Sequence, residues 1–254
     1  MLTRREIEGE LKRQLALDYN CTLEDLSGSE NAVTLSEIVP GRREYQEGKY
    51  FFTMATLGDS AVIMADRQLH RFLEEFIRDK RGFWLFEHPN LCRLERELNR
   101  YRQTLRASHH MFLPDPEPLE LRPSFEVRWM EQREIMGLYG NPDFPNAICE
   151  NFKPERPDVL AVAAMDRGNI IGLAGCSADC PRMWQIGIDV LPPYRRQGIG
   201  AALVGLLKDE VFRRGAIPFY GTSLSNLGSW KIALKCGFYP AWVEIESGKK
   251  STEA

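Results

Sequence analysis

Apolar residues return every four positions at the start of the chain, at Ile7, Leu11 and Leu15, behind a Thr3-x-x-Glu6 capping box. The spacing predicts a helix there, and Thr22-Leu-Glu-Asp25 predicts a second, shorter one. Charges and glycines over 41–48 predict a loop. The pattern then changes to short apolar runs. Tyr50–Thr56 and Ser60–Ala65 flank Leu57-Gly58-Asp59, a hairpin with Gly58 at positive φ. Asp66 is placed to cap a helix with Leu69, Phe72, Leu73, Phe76 and Ile77 on one face, and Gly82 is its expected terminator. Leu91, Leu94, Leu98, Tyr101 and Leu105 predict another helix, whose mixed Arg and Glu residues form a solvated face.

Phe112–Pro123 carries four prolines in twelve residues. Proline supplies no N–H, so the run is expected to form neither a helix nor a central strand, but a linker. Beyond it the alternation predicts a strand at Phe125–Trp129, a helix at Glu131–Tyr139 and a loop at Gly140–Pro145. Strands Val159–Met165 and Asn169–Cys176 follow, joined by a tight turn, and then strand Met183–Val190. A helix opened by Gly198 carries Ile199, Leu203, Leu206, Leu207 and Val211 and stops at Gly215. Strand Pro218–Thr222, helix Leu227–Cys236 and strand Ala241–Ile245 complete the chain. This order predicts an α/β (α+β) mixed sheet with helices on both faces. The expected organisation is an N-terminal α+β module at 1–115, a linker at 116–124, a second domain at 125–247 and a flexible tail at 248–254.

Composition narrows the picture little. The chain has 254 residues, 43% apolar and 27% charged, with a net charge of −3. That balance gives no electrostatic reason to expect nucleic acid or a membrane surface as partner. Six cysteines form no CxxC pair or regular framework, and no leader is recognisable. Reduced thiols in a cytoplasmic protein are expected. Cys176-x-x-x-Cys180 lacks the further ligands that a zinc site needs, so no metal is expected.

Candidate chemistry concentrates after Val190. Pro192-Pro193 stop the strand, Arg195, Arg196 and Gln197 occupy a turn, and Gly198 and Gly200 open the helix. No Ser, Thr, Asp or Asn stands just before that helix to accept its first N–H groups. An anionic ligand would fill that role, and a solvated, glycine-started helix is the alternative.

Val190-x-Pro-x-Tyr-Arg-Arg-Gln-Gly-Ile-Gly, followed by Asn226-x-x-Ser229 and Lys235-x-Gly237-Phe238, resembles the GNAT acetyltransferase superfamily over about Phe125–Ile245. The resemblance implies a GNAT fold and acetyl-CoA as co-substrate. It implies that backbone amides of Gln197, Gly198, Ile199, Gly200 and Ala201, with Arg195 and Arg196, cradle the pyrophosphate. The strand edge near Ile188–Val190 would pair with the pantetheine amides and splay from Pro218–Thr222. Asn226 would hydrogen-bond the pantetheine arm.

Many members of the superfamily place a tyrosine four residues before the Gly-Phe pair to protonate the departing thiolate; Ala233 stands there in this chain. The Asn-x-x-Ser pattern is similar to a subgroup that acetylates N-terminal amines of ribosomal proteins. That similarity implies Ser229 as proton donor or thiolate stabiliser, against a plain role as a first-turn cap. Asp189 is the candidate base on the strand, with a structural hydrogen bond as its alternative. Asp179 in a loop, His109, His110 and an ordered water chain are further options, and Gln185 cannot act as a base. Trp129, Tyr139, Phe144 and Trp184 are expected in core and pocket wall, with Asp143 and Glu150 favouring a cationic acceptor. The expected activity is acetyl transfer to a primary amine of a small molecule or peptide by direct attack in a ternary complex. A non-catalytic acyl-CoA sensor and an interaction module are the rival classes. The N-terminal module is expected to shape the acceptor site or a homodimer contact.

Overall fold

The computed structural model describes residues 2–119, 121 and 123–250. In chain order its elements are α1 (Arg4–Asp18), β1 (Ala32–Leu35), β2 (Phe52–Thr56), β3 (Ala61–Ala65), α2 (His70–Ile77), α3 (His88–Asn99), β4 (Gln103–Leu105) and β5 (His109–Pro114). There follow β6 (Glu126–Glu131), α4 (Gln132–Ile135), β7 (Asp158–Asp166), β8 (Asn169–Ser177), β9 (Met183–Val190), α5 (Ile199–Arg213), β10 (Ile217–Ser223), α6 (Leu227–Lys235) and β11 (Phe238–Lys249). The chain forms two compact units. One takes the segment ending at Glu8 and Phe112–Pro240; the other takes Gly9–Met111 and the segment from Ala241.

In the unit containing Phe112–Pro240, the strands run in the order β10-β9-β8-β7-β6, antiparallel except for the parallel β9–β10 pair. Period-two alternation gives the central strand β7 two apolar faces. Leu160, Val162 and Ala164 of β7 pack into a core with Leu203, Leu207 and Val211 of α5. Ala161, Ala163 and Met165 turn the other way, to Ile135, Phe144 and Ile148. The mixed sheet with helical cover on both faces is therefore as the pattern predicts.

In the other unit, β1 pairs in parallel with β3, and β3-β2-β11 continue antiparallel. Phe52, Ile63, Leu73, Phe76, Leu94 and Leu98 share one buried core. The predicted hairpin forms β2 and β3, and Asp66 accepts from Gln68 N at 3.0 Å at the start of the following turn. The first helix also stands as predicted, with Thr3 N donating to Glu6 Oε2 at 2.7 Å and Glu6 N to Thr3 Oγ1 at 3.3 Å.

Several expectations need correction. Thr22–Asp25 makes the reciprocal side-chain bonds of a cap, yet only turns follow, because Ser27-Gly28-Ser29 succeed it without an apolar stripe. Gly82 does not end a helix: α2 stops at Ile77, and a Cβ on Gly82 would overlap the Ser60 backbone. Tyr101 and Leu105 lie beyond α3, since Arg102 takes a φ of 58° and the chain turns into β4. His109–Pro114 is a strand with its last four residues buried. The objection to proline applies only from Pro114 onward, and that residue is the last of the strand.

The proline-rich stretch after it is held against α5. Lys208, 1% exposed, donates from Nζ to Glu117 O at 2.9 Å, and Leu119 N donates to Asp209 Oδ2 at 3.1 Å. Glu120 and Arg122, in the expected linker, lie outside the described residues. At the other end, β11 runs through Gly248 and Lys249, and Lys250 N donates to Arg102 O, so these three are not a free tail. Residues 251–254 lie outside the described residues.

Candidate active site

The parallel ladder between β9 and β10 runs from Met183↔Ile217 to Ile186↔Tyr220 and stops, although β9 continues to Val190 and β10 to Ser223. From Gly187 to Val190, β9 keeps its partner β8 on one side only. An open strand edge of this kind presents backbone donors and acceptors to an extended ligand. Ile188 and Val190 turn their side chains toward α5, where each comes within ordinary contact of the position a Cβ on Gly200 would take.

The turn after Val190 is held by its neighbours. Pro192–Tyr194 form a single 3-10 turn, and Tyr194 Oη donates to Asp166 Oδ2 at 2.8 Å. Arg195 Nε donates to Val190 O at 2.8 Å, and Gln197 Nε2 to Pro193 O at 3.2 Å. Arg196 has a φ of 63° and Gly198 one of 84°. The left-handed region costs a non-glycine residue about 1–2 kcal/mol, and Arg196 accepts that strain on an exposed turn. Gly198 is the N-cap of α5 and makes no side-chain cap. Among the described residues, no hydrogen-bond acceptor meets the N–H groups of Gln197, Gly198, Ile199, Gly200 and Ala201. Several free N–H groups, the positive end of a 15-residue helix and two exposed arginines converge there. That arrangement suits a phosphate or pyrophosphate.

Asp189 faces the opposite side of β9. Its carboxylate accepts from Asn146 N at 2.6 Å, Asn146 Nδ2 at 2.7 Å and Ala147 N at 2.8 Å. The backbone of this loop lies directly on the sheet, because Gly175 and Gly187 are partners across β8 and β9. A Cβ on Gly175 would overlap Ala147 O, and one on Gly187 would overlap Asn146 O. This glycine pair is the mark that the crossing loop leaves in the sequence, and the spacing of apolar residues does not reveal it.

The start of α6 supplies the other wall. Asn226 Oδ1 accepts from Ser229 N at 3.1 Å, which makes Asn226 the helix cap. Ser229 Oγ lies 2.6 Å from Tyr220 Oη. Tyr220 stands on the last rung of the β9–β10 ladder and is 2% exposed, with Phe112 and Phe238 rings against it. Burial pushes its phenol up to about 12, although the Ser229 bond pulls the other way. Nothing in the residue pattern singles out Tyr220, since Phe219 beside it is equally buried. Cys236 Sγ reaches Ala201 O at 3.1 Å and Ile232 abuts Gly200, so the first turn of α5 and the body of α6 are packed together.

The remaining candidates sit elsewhere. Asp179 is buried and accepts from Ser177 Oγ at 2.5 Å, with Arg156 Nε at 3.6 Å. His109 and His110 begin β5, and burial lowers the His110 pKa. Phe144 is in the core shared with Ile135 and Ile148, Trp184 packs against the opposite core, with Leu203 and Leu207, and Trp129 is 40% exposed. Burial raises Cys149 and Cys236 to about 11, which keeps both as neutral thiols. Among the described residues no group of three or more His, Cys, Asp or Glu could hold a metal ion.

Comparison with solved structures returns partial likenesses. A GNAT-family protein from Novosphingobium aromaticivorans is 14% identical over 59% of this chain and 69% of its own, with a TM-score of 0.47. A GCN5-related N-acetyltransferase-like protein from Streptococcus suis is 17% identical over 70% and 76%, also at 0.47. The aminoglycoside N-acetyltransferase AAC(6')-Iy, in complex with CoA, is 20% identical over 48% and 93%, at 0.36. No curated protein matches. The model of the acetyltransferase (GNAT) family matches residues 120–238, from just before β6 to the first residue of β11. Within the C-terminal half, residues 120–238 therefore carry the sequence pattern of the GNAT family model.

Proposed function

We propose that this domain transfers an acetyl group from acetyl-CoA to a primary amine of a small molecule or peptide, by direct attack in a ternary complex. The observation that carries the reading is the row of free N–H groups from Gln197 to Ala201, beside a strand edge that β10 leaves at Ile186. Those residues fit the co-substrate: Gln197–Ala201 with Arg195 and Arg196 would hold its pyrophosphate, and Ile188–Val190 its pantetheine amides. Acetyl-CoA supplies the activated thioester. The protein supplies position and polarisation, holding amine and carbonyl in line while donors stabilise the developing charge.

Asn226, whose Oδ1 caps α6, has its amide N–H groups for the pantetheine arm. Ser229 stabilises the departing thiolate. Asp189 is a positioning residue in this reading: three donors already occupy its carboxylate, so it holds the Asn146–Ala147 loop rather than taking a proton from the amine. Asp143 and Glu150 are exposed on the segment that contains this loop and favour a cationic acceptor. The absence of disulfides among the described residues accords with a cytoplasmic protein, and no helix of those residues is long and apolar enough to cross a membrane.

Calorimetric titration with CoA, beside thiol release from acetyl-CoA over a panel of primary amines, tests the reading. Gly198→Asp puts a carboxylate and a strained φ where phosphate charge is expected, and should weaken CoA binding at least about tenfold. Unchanged affinity in that variant overturns the cofactor assignment. Binding without amine-dependent thiol release would make the domain an acyl-CoA sensor, the reading that Ala233 favours.

A further inference from the structure

We propose that Tyr220 is the proton reservoir behind Ser229: Ser229 Oγ–H gives its proton to the departing thiolate, and Tyr220 Oη–H replaces it. The inference rests on the acetyl-transfer reading and deepens it at the step where Ala233 leaves the family's usual donor missing.

The geometry carries it. Capping is already done by Asn226, whose Oδ1 takes the Ser229 N–H, so the Ser229 hydroxyl is not needed at the helix start. That hydroxyl is instead 2.6 Å from a phenol that is itself 2% exposed. A phenylalanine would fill the space beside Phe112 and Phe238 without the cost of burying a hydroxyl. With Tyr220 donating outward to Ser229 Oγ, the serine proton is directed away from the core. Ser229 is half-buried, and α6 begins only four residues past the end of β10, the strand that parts from β9 at Tyr220. The relay therefore begins in the core and ends beside the splayed strands.

The protonation state fits the same direction of transfer. Burial holds the phenol protonated at neutral pH, and Cys236 and Asp189, the titratable groups that act on it, push its pKa the same way. The balance is simple. The amine nitrogen forms the C–N bond and loses its proton to solvent, and the C–S bond breaks with its electron pair on sulfur. Sulfur takes the Ser229 proton, Ser229 takes the Tyr220 proton, and the tyrosinate is reprotonated by water.

Tyr220→Phe and Ser229→Ala are compared with the wild type by thiol release from acetyl-CoA between pH 6.5 and about 9.5, with CoA affinity by calorimetry as the check on folding. At neutral pH, Tyr220→Phe should lower turnover by about 10- to 100-fold, with KM for acetyl-CoA and CoA affinity within about twofold. As pH rises toward the pKa of the released thiol the leaving sulfur needs its proton less, and the deficit should shrink steadily, to within about threefold at the top of the range. The double variant should be no slower than Ser229→Ala alone, because the two groups act in series. A deficit constant with pH, additive losses, or Tyr220→Phe turnover within about twofold of wild type at pH 7 overturns the relay. If Tyr220→Phe loses CoA binding, the pH profile of Ser229→Ala decides alone, and a flat profile is equally fatal. Wild-type protein that binds CoA but releases no thiol with any amine overturns acetyl transfer and the relay with it.

Discussion

Asp189→Asn separates a base from a support. The carboxylate accepts three N–H groups at 2.6–2.8 Å, two of them from the backbone of Asn146 and Ala147. Hydrogen bonds to a charged group contribute about 1.5–3 kcal/mol each, and half exposure of Asp189 brings that to about 1 kcal/mol per bond. Asparagine can set its one oxygen where Oδ2 takes both backbone N–H groups, but it turns an NH2 toward Asn146 Nδ2 and carries no charge, so one bond is lost and two are weakened. The expected cost is about 1–2 kcal/mol, or roughly 2–8 °C in Tm for a chain of this size. The backbone of the loop lies on Gly175 and Gly187, so its displacement should appear chiefly in the KM for the amine. Thermal unfolding and steady-state kinetics at saturating acetyl-CoA measure both quantities. A variant with wild-type Tm and amine KM whose kcat falls by about 100-fold or more would refute the argument and make Asp189 the base.

Two further outcomes follow from the same structure. Asn226→Ala removes the cap of α6 and should cost about 1 kcal/mol, seen as a fall of about 2–4 °C in Tm, with turnover reduced as Ser229 loses its fixed position. No change in either quantity would mean that the α6 N-terminus is held by other contacts. Asp158 is 2% exposed and burial raises its pKa, so the folded state keeps its proton to higher pH than the unfolded chain does. Its contribution to stability is complete below the ordinary aspartate value and is lost as pH rises through the raised folded value. Asp158→Asn should therefore gain Tm relative to wild type between pH 4 and pH 7, and parallel melting curves would refute this.

Much of the fold could be read because two periodicities were clean. Leu160 to Met165 alternate between two cores, and Met183–Val190 is bounded by charge on one side and by Pro192-Pro193 on the other. Prediction failed where the deciding contact is distant in sequence. Gly82 looks like punctuation until Ser60 is seen against it, and Phe112–Leu113 look like the edge of a linker until Tyr220 and Trp230 are found beside Phe112. The turn proposed to hold the anion is legible because adjacent residues build it from backbone. Tyr220 was not, because its significance lies in one bond to Ser229 and in where a ladder ends.

The route of the chain through the two units bears on how the protein forms during synthesis. Gly9–Met111 emerges from the ribosome first, but its β2 and β4 both await the same partner, the part of β11 from Ala241 on. Until that segment is made, the strand edges of Phe52–Thr56 and Gln103–Leu105 that it covers stay open, through the whole translation of Phe112–Pro240. The unit built on Gly9–Met111 is thus finished only after Phe112–Pro240 has been made, and a chain cut short inside α6 has an unsealed sheet. Chaperone dependence of such nascent chains should end at the length that frees Lys249.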